Sequence, residues 1–226
     1  MVLKNYAFET VRAQLLEENR KKISESVGPD NCISQAIATI ADLDKIINIL
    51  CNRVKEWYEL YNPEDLRHVH YEVIVDKIIQ GTIPPKNTMG GKLSKEDLAM
   101  VESLAHKVQF LMDEKEILVD YIRNIMQEHA PTLLELCGPL IGAKLIAHKG
   151  SLRDLAFLPS STIQILGAEK ALFRHLTRNA RSPKYGYILQ HQKVAQSENK
   201  GKAARKFASE ISFAVKKDYF KQRGAE

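Results

Sequence analysis

The segment from Gly167 to Leu176 reads Gly-Ala-Glu-Lys-Ala-Leu-Phe-Arg-His-Leu, and its cations are spaced to meet an anion. Lys170, Arg174 and Arg178 recur every four residues, which places them along one edge of a helix. The free amides and the dipole at the start of such a helix also favour an anion nearby. The pattern therefore predicts a phosphate-binding surface. The apolar side chains that we expect to pack inward from the same helix are Leu172, Phe173 and Leu176.

Positive charge is concentrated in the second part of the chain. Residues 142–226 contain 17 Lys and Arg against 6 Asp and Glu, a net charge of +11, whereas residues 1–141 contain 16 against 22, a net charge of −6. A basic surface of that density attracts polyanions by Coulomb force and counterion release, and RNA or DNA is the usual partner. The further cations of this half include Arg181, Lys184, Lys193, Lys200, Lys202, Arg205 and Lys206.

Aromatic residues are interleaved with these cations in the segment 183–191, Pro-Lys-Tyr-Gly-Tyr-Ile-Leu-Gln-His. Tyrosine and histidine beside Lys and Gln suit the stacking and edge hydrogen bonding of unstacked RNA bases better than the reading of a DNA major groove. The alternative is that one of the tyrosines belongs to the core, which is the more common fate of an aromatic beside apolar neighbours.

Catalytic patterns are missing from the sequence. The block 167–170 lacks the preceding glycine and the Ser or Thr after Lys with which a Walker A loop holds phosphates and Mg²⁺. No paired carboxylates and no Ser/His/Asp arrangement accompany the basic segments. We therefore expect a protein that is not an enzyme.

Metal and cofactor patterns are weak as well. His68 and His70 form a pair without a Cys or carboxylate pattern nearby. The three cysteines are far apart among apolar helical neighbours, which favours reduced, buried thiols over a disulfide or a metal site. These cysteines are Cys32, Cys51 and Cys137. We expect no metal and no cofactor.

Two long apolar seams precede the basic half. From Ile33 to Tyr61, and again from Val101 to His129, apolar residues recur in alternating steps of three and four, with a cation at Lys115 in the second run. That spacing is typical of a heptad seam, and each helix would be about 45 Å long. Breakers between them predict a loop at the tip over 62–94, with one small helix near 73–79. We predict an antiparallel coiled-coil hairpin.

The hairpin has two interpretations. Its helices bury their seams only against each other, or a second apolar stripe pairs with another chain. Because apolar faces wider than a strict seam favour bundles of more than two helices, we expect a homodimer. The second stripe consists of Ile37, Ile46, Ala105, Met112, Val119 and Met126.

The predicted fold class is all-α: a long antiparallel coiled-coil hairpin followed by a compact helical domain. We expect a helical linker over 1–30, with Asp30 or Asn31 capping the long helix, a coiled-coil domain over 31–130 and a short-helix domain over 131–226. Residues 185–189 could form a small hairpin at most. No apolar run approaches the roughly 20 residues that cross a bilayer, and the N-terminus has no signal-peptide pattern, so we expect an intracellular protein with no membrane partner.

The chain resembles the Nop-domain family, most strongly its archaeal member. The resemblance covers residues 12–220 and is most specific in the block from Ser160 to Leu176, which reads Ser-Ser-Thr-Ile-Gln-Ile-Leu-Gly-Ala-Glu-Lys-Ala-Leu-Phe-Arg-His-Leu. Other matching segments are Gly-Ala-Lys-Leu-Ile at 142–146, Pro-Lys-Tyr-Gly at 183–186, Lys-Ala-Ala-Arg at 202–205 and Asp-Tyr-Phe at 218–220.

The resemblance implies a non-catalytic platform that binds kink-turn RNA together with its small bound ribosomal-type protein and dimerises through its coiled coil. Such platforms serve box C/D ribonucleoproteins, in which RNA is 2′-O-methylated, and a spliceosomal relative. Family members also grip the methyltransferase fibrillarin through an N-terminal domain. We expect that domain to be missing or reduced to a linker, so that fibrillarin recruitment is in doubt, and a cytoplasmic location if the source is archaeal or a nucleolar or nuclear one if it is eukaryotic.

Our leading hypothesis is a box C/D-type scaffold. The alternatives are a splicing-type scaffold on a different kink-turn RNA and, from the enzyme class, an RNA-modifying or nucleotide-hydrolysing enzyme. The residues predicted to contact RNA or the RNA–protein surface are Lys170, Arg174, His175, Arg178, Arg181, Lys184 and Gln190, with Arg205 as a flanking phosphate contact.

Overall fold

The fold was described from a computed structural model, which covers residues 2–64, 70–81, 84, 86–178 and 180–224. Within these residues there are ten α-helices, one 3₁₀ helix and no strand, so the predicted all-α class is confirmed. The helices are α1 (Val2–Ser26), α2 (Pro29–Glu59), α3 (Tyr71–Ile79), α4 (Lys95–His129), α5 (Pro131–Lys149), α6 (Leu152–Ala156), α7 (Ser160–Ile165), α8 (Glu169–Arg178), α9 (Gln192–Ala195) and α10 (Lys200–Arg223), and the 3₁₀ helix is Tyr187–Gln190.

The chain divides into two compact units, one formed by residues 36–122 and the other by residues 1–35 together with 123–226. This division cuts across both long helices, whereas the predicted domain boundaries follow their ends. The boundaries at 30 and 130 stay a prediction. Parts of the predicted tip, including residues 65–69 with His68, lie outside the described residues.

In the unit 36–122, helices α2, α3 and α4 share one apolar core. Its fully buried members include Val54 from α2, Ile74 from α3 and Val108 from α4. Next to the tip, the Gly91 N–H donates to the Leu60 carbonyl at 2.7 Å. This contact, together with an ion pair further along, shows that α2 and α4 run antiparallel.

The cation that interrupts the second seam has a partner. Lys115 Nζ on α4 lies 2.6 Å from Asp44 Oδ1 on α2. Leu60, just after the end of α2, contacts Gly91, which precedes α4, whereas Asp44 in the middle of α2 contacts Lys115 in the middle of α4. The two helices therefore run in opposite directions. The supercoil expected of a coiled coil stays a prediction.

The proposed second apolar stripe was largely wrong. Ile37, Ala105 and Met126 are buried within the chain, and Met112 packs against the core of the unit 36–122. Of the members of the stripe, Ile46 is clearly exposed. The sequence pattern identified apolar positions correctly, but other helices of the same chain cover most of them.

In the other unit, α10 is the central helix. It packs against α5, α6, α7, α9 and the 3₁₀ helix. Its inward face is formed by Ala204, Phe207, Ile211 and Val215, all of which are buried. Tyr219 is half-buried, and the outer face of α10 carries lysines.

A buried carboxylate joins α10 to the start of α5. Ala130, which precedes α5, provides no side-chain cap. Instead, Asp218 from α10, only 2% exposed, accepts hydrogen bonds from the Thr132 N–H at 3.1 Å and the Leu133 N–H at 2.9 Å. Asp218 therefore satisfies backbone donors that a helix start leaves without partners.

Asp30 has a similar long-range role, which corrects the expectation that it caps its own helix. Its Oδ2 accepts from the Leu152 N–H at the start of α6 at 3.1 Å, and its Oδ1 lies 2.7 Å from His129 Nε2. At the start of α2 it is Asn31 that accepts, from the Gly28 N–H at 3.1 Å. The carboxylates of Asp30 and Asp218 thus each connect helices that are distant in sequence.

Replacing Asp218 by Ala is expected to lower the free energy of unfolding by about 3 kcal/mol, because two helix-start amides would lose a charged acceptor in a buried place. Urea unfolding followed by circular dichroism measures this change. Lys217→Ala, on the exposed side of the same helix, should stay within about 0.5 kcal/mol of the parent. An equal, small effect of both substitutions would show that Asp218 is not a structural cap.

Candidate nucleic-acid interface

The helix predicted from the spacing of Lys170, Arg174 and Arg178 is present as α8, which begins at Glu169 and ends at Arg178. Its cations Lys170, Arg174 and Arg178 are exposed along one edge. The Arg174 Nε–H donates to the Lys170 carbonyl one turn earlier, at 3.3 Å. This hydrogen bond orients the Arg174 side chain along the helix.

The apolar side of α8 was predicted wrongly. Leu172 is half-buried, but Phe173 is 68% exposed and Leu176 is 72% exposed. None of the side chains of α8 is buried. The helix is amphipathic in sequence, yet no described element covers its apolar side. The surface around α8 therefore combines cations with two large exposed apolar groups.

The sequence predicted that the start of α8 favours an external anion, but in the structure this place is not open. The carboxylate of Glu169 itself occupies this place, since Oε1 accepts from the Gly167 N–H at 2.8 Å. Burial opposes the charge of Glu169, but hydrogen bonds from backbone N–H groups and the nearby His148 imidazole outweigh it and lower the pKa of this carboxyl.

Helix α8 is anchored at its start by what we call the clasp: residues 164–169, residues 184–187 and His148. Two backbone hydrogen bonds join these segments of chain, from the Gly186 N–H to the Gln164 carbonyl at 2.9 Å and from the Tyr187 N–H to the Leu166 carbonyl at 2.8 Å. The Gln164 amide also donates to the Lys184 carbonyl at 2.6 Å.

Two glycines let the segments of the clasp approach each other. Gly167 has φ of +86°, and a Cβ there would lie 2.6 Å from the ring of Tyr187. A Cβ on Gly186 would lie 1.8 Å from the Leu166 carbonyl oxygen. Any larger side chain at either position would separate the segments.

At the other end of α8, His175 is hydrogen-bonded to the loop that follows the helix. Its Nδ1 lies 2.5 Å from the carbonyl oxygen of Ala180, to which it donates. This hydrogen bond draws the following loop, with the exposed Arg181, back towards the helix. His175, predicted as an RNA contact, thus has a local structural role through one ring nitrogen.

A second group of predicted residues surrounds the 3₁₀ helix and the start of α10. The Cδ of Lys184 lies 3.6 Å from where a Cβ would stand on Gly201, so its stem runs along the beginning of α10. Gln190 accepts from Lys144 Nζ at 2.9 Å. Arg205 is exposed on α10.

The structure therefore places the predicted residues in two groups: Lys170, Arg174, His175, Arg178 and Arg181 on or beside α8, and Lys184, Gln190 and Arg205 near the start of α10. Both groups are joined through the clasp, to which Lys184 belongs. That the two groups form one continuous RNA-binding surface stays a prediction.

The sequence reasoning missed Lys144 and the supporting residues of the clasp. Lys144 directs the amide of Gln190, because it occupies the carbonyl oxygen and leaves the NH₂ group to donate. His148 lies in the last turn of α5, where a helical pattern gave no functional signal. The Glu169 carboxylate stood beside Lys170 in the most specific block of the sequence, and it was the signal that could have pointed to an anchored helix start.

Two aromatic rings expected to stack on bases are used within the protein. The Tyr187 ring packs against Gly167 and meets His148 edge to face, with centroids 5.5 Å apart. The His191 ring stacks on Phe207 at 4.4 Å. Their packing supports the alternative that aromatics in this segment belong to the core.

The cysteines agree with the expectation of reduced thiols. All three are free, with Cys51 and Cys137 buried and Cys32 half-buried. Burial raises the pKa of Cys51, and it raises the pKa of Cys137 to about 12 although Lys193 opposes this effect. Both buried thiols therefore stay protonated and unreactive near neutral pH.

An all-helical fold with exposed cations along one helix edge is typical of a class of nucleic-acid-binding proteins. Residues 65–226 match the family model described as "Nop: snoRNA binding domain, fibrillarin". The chain belongs to this family, as the resemblance predicted. The family is defined by RNA binding and not by a reaction, in agreement with the prediction of a non-catalytic protein.

The chain is similar to proteins of both archaea and eukaryotes. It is 35% identical to a NOP5 family protein of Methanocaldococcus jannaschii, over 89% of this chain and 56% of the relative. It is 40% identical to nucleolar protein 58 of Schizosaccharomyces pombe, over 84% of this chain and 42% of the relative. The chain thus spans about half the length of these relatives. An archaeal source stays a prediction.

Among solved structures, the chain is similar to one in a crystal structure of a fibrillarin/Nop5p complex, with a TM-score of 0.56 and 24% identity. The match covers 94% of this chain and 70% of the other. At this identity the likeness shows the fold alone. Separately, none of the helices in the described ranges is both long enough and apolar enough to cross a membrane.

We expect stability to fall as the pH drops below the ordinary value of 6.5 for histidine, because of His191. Burial, and then the charge of Lys193, lower its pKa, although Glu210 acts in the opposite direction. The neutral ring also accepts from the Lys193 N–H through Nδ1 at 3.3 Å. The unfolded chain protonates His191 more readily than the folded protein does. The stabilisation that the neutral His191 ring provides is therefore complete above pH 6.5, and it is lost as the pH falls through the lower folded-state pKa.

The measurement is urea unfolding between about pH 5 and pH 7.5, a range that spans the ordinary titration of histidine. His191→Asn, which can still accept at a helix start but does not titrate, should show a smaller loss of stability over this range. Identical pH profiles for the parent and the variant would rule out His191 as the source.

Proposed function

We propose that this chain is an RNA-binding scaffold of a box C/D-type ribonucleoprotein. It docks on kink-turn RNA together with the small protein bound to that RNA, and two copies join to support guided 2′-O-methylation. The observation that carries the proposal is the mixed surface of α8, where exposed cations stand beside exposed Phe173 and Leu176.

The two kinds of side chain on α8 suit a composite target. Lys170, Arg174 and Arg178 are suited to phosphates, which bind Arg and Lys through charge-assisted hydrogen bonds. An exposed Leu gains little from a phosphate backbone, whereas burying Phe173 and Leu176 against an apolar protein surface would be worth roughly 2 kcal/mol for each side chain. A target made of RNA and protein together accounts for both.

The basic half keeps its cations available for this contact. Glu169 and Asp218 bind backbone amides at helix starts, at the distances given above. Both carboxylates are used in hydrogen bonds to the backbone, while Lys170, Arg174 and Arg178 stay exposed. The net charge of +11 over residues 142–226 supports a polyanionic partner.

The dimer is supported by a different apolar stripe from the one first expected. With Ile47 and Val54 at the a positions of α2, Ile46 and Ile49 fall at g and c. Both exposed residues lie away from the e positions, where Cys51 and Tyr58 are buried in the core that contains α3.

The matching stripe on α4 consists of Phe110 and Ile117, which fall at c positions when Val101 and Val108 are at a. In an antiparallel pair, the g flanks of the two helices lie on one side and the e flanks on the other. The exposed residues of α2 and α4 therefore share the side opposite α3, and Phe110 is 65% exposed. We assign this side to self-association.

The methyl transfer itself would belong to another component. The structural neighbour was crystallised as a complex with fibrillarin, and fibrillarin is accordingly the partner proposed for the assembled particle. Direct binding of fibrillarin by this chain is not part of the proposal. The nucleolar and NOP5 names of the relatives favour the box C/D assignment over a splicing-type scaffold.

Replacing Arg174 and Arg178 together by Ala should weaken binding to kink-turn RNA carrying its small protein by about 10-fold or more. Each lost phosphate contact should also reduce the slope of log affinity against log salt by about 1. Fluorescence anisotropy over a salt series measures both quantities.

The matched control is Lys217→Ala with Lys221→Ala, which removes the same charge from the exposed side of α10. It should change the affinity much less. Equal losses in the two double variants would mean that only the net charge matters, and unchanged affinity of the arginine variant would refute the assignment of α8.

Replacing Phe110 and Ile117 by Glu should convert the dimer into a monomer, since charges would be buried at the shared stripe. Light scattering coupled to size-exclusion chromatography gives the mass. Met89→Glu, at the exposed tip, should leave the dimer intact. A parent chain that is monomeric at micromolar concentration would contradict the proposed self-association.

A further inference from the structure

We propose that Glu169 is a positioning residue for RNA binding: through Gly167 and His148 it fixes the start of α8, and with it the side chains that contact RNA. This inference rests on the proposed function of α8 and deepens it. It assigns a supporting role to Glu169, a carboxylate that lies beside the cations proposed to contact RNA.

Helix α8 needs such an anchor because burial does not hold it. It has no buried side chain, so hydrogen bonds at its ends must determine where it lies. At its start, one carboxylate oxygen of Glu169 meets two donors, the Gly167 N–H at 2.8 Å and His148 Nε2 at 2.7 Å.

His148 connects this anchor to the rigid part of the unit. It stands in the last turn of α5, soon after the buried residues Leu145 and Ile146. A helix packed in the core moves little, so the hydrogen bond between His148 and Glu169 transmits its position to α8. The contact joins two residues that are far apart in sequence, which makes it a tertiary link and not a local cap.

Tyr187 completes the arrangement. Its hydroxyl oxygen lies 3.4 Å from His148 Nδ1, and its ring packs against Gly167. Burial and the charge of Glu169 raise the pKa of this hydroxyl, so it keeps its proton. Tyr187 thus holds the imidazole from the side opposite Glu169.

Electrostatics alone predicts the reverse of this role. A carboxylate beside Lys170 repels phosphates, so removing it should strengthen RNA binding. If Glu169 positions α8, removing it should weaken RNA binding instead. The two accounts therefore differ in the sign of the effect.

The test compares Glu169→Ala with Glu169→Gln in the full chain, using anisotropy on kink-turn RNA carrying its small protein. Both variants lose the same charge, but Gln keeps an oxygen that can accept from Gly167 and His148. Loss of one charged hydrogen bond corresponds to about a 10-fold weakening for Ala. Gln should stay within about 3-fold of the parent, and Glu198→Ala, which removes an exposed acid from the same basic half, should bind as tightly as the parent or more tightly.

Hydrogen exchange of the free proteins separates positioning from misfolding. The amides of residues 172–178 should exchange faster in Glu169→Ala than in Glu169→Gln, while those of α10 stay unchanged. If α10 is affected, Tyr187→Phe replaces the Ala variant, because it removes only the hydroxyl. It should then bind about 3-fold more weakly.

The proposal is overturned if Glu169→Ala, or Tyr187→Phe where it is used, binds as tightly as the parent or more tightly. It is also overturned if Ala and Gln give equal affinities. The arginine variants of α8 identify the other failure: if they bind like the parent, the proposed function itself is wrong. If they weaken binding and the Glu169 variants do not, only the positioning role is refuted.

Discussion

A helix that carries recognition groups but buries none of its side chains must be positioned by its ends. This constraint governs α8. A single hydrogen bond contributes about 1 kcal/mol, less than the burial of one large apolar side chain. Several are therefore needed, and at the start of α8 the Glu169 carboxylate accepts from the Gly167 N–H and lies 2.7 Å from His148 Nε2. The arrangement leaves Phe173 and Leu176 uncovered, available to a partner and not committed to the core.

The same use of carboxylates recurs elsewhere in this unit. Asp218 caps the start of α5 from α10, and Asp30 caps the start of α6 from α2. Each binds amides at a helix start, where a negative charge is favourable. These acids thus connect helices around α10, while cations such as Arg174 and Arg178 stay on the exposed surface.

Much of the helical framework could be predicted from the sequence. The apolar seams of α2 and α4, the small helix α3 and the helical course of α8 follow from local periodicity and turn residues. These features depend on neighbours within a few residues. The residues of the candidate interface could likewise be chosen, since cations at four-residue spacing stand on one edge whatever packs behind them.

Features that depend on distant contacts could not be read in the same way. Amphipathic spacing shows that α8 has an apolar side that includes Phe173, but it does not show whether another helix covers that side. The reverse error occurred at Met126, an apolar residue assigned to an outer stripe that is fully buried by the chain. Asp30 meets its partner Leu152 across 122 residues, so its capping role has no local signature.

On the proposed function, α8 and the clasp meet a surface made of RNA and protein. The decisive measurement is hydrogen exchange of the full chain, with and without kink-turn RNA carrying its small protein. Exchange should slow in α8 and in residues 184–190 on binding, and α3 should be unaffected. Slowing confined to α2, α3 and α4, with α8 unchanged, would contradict it.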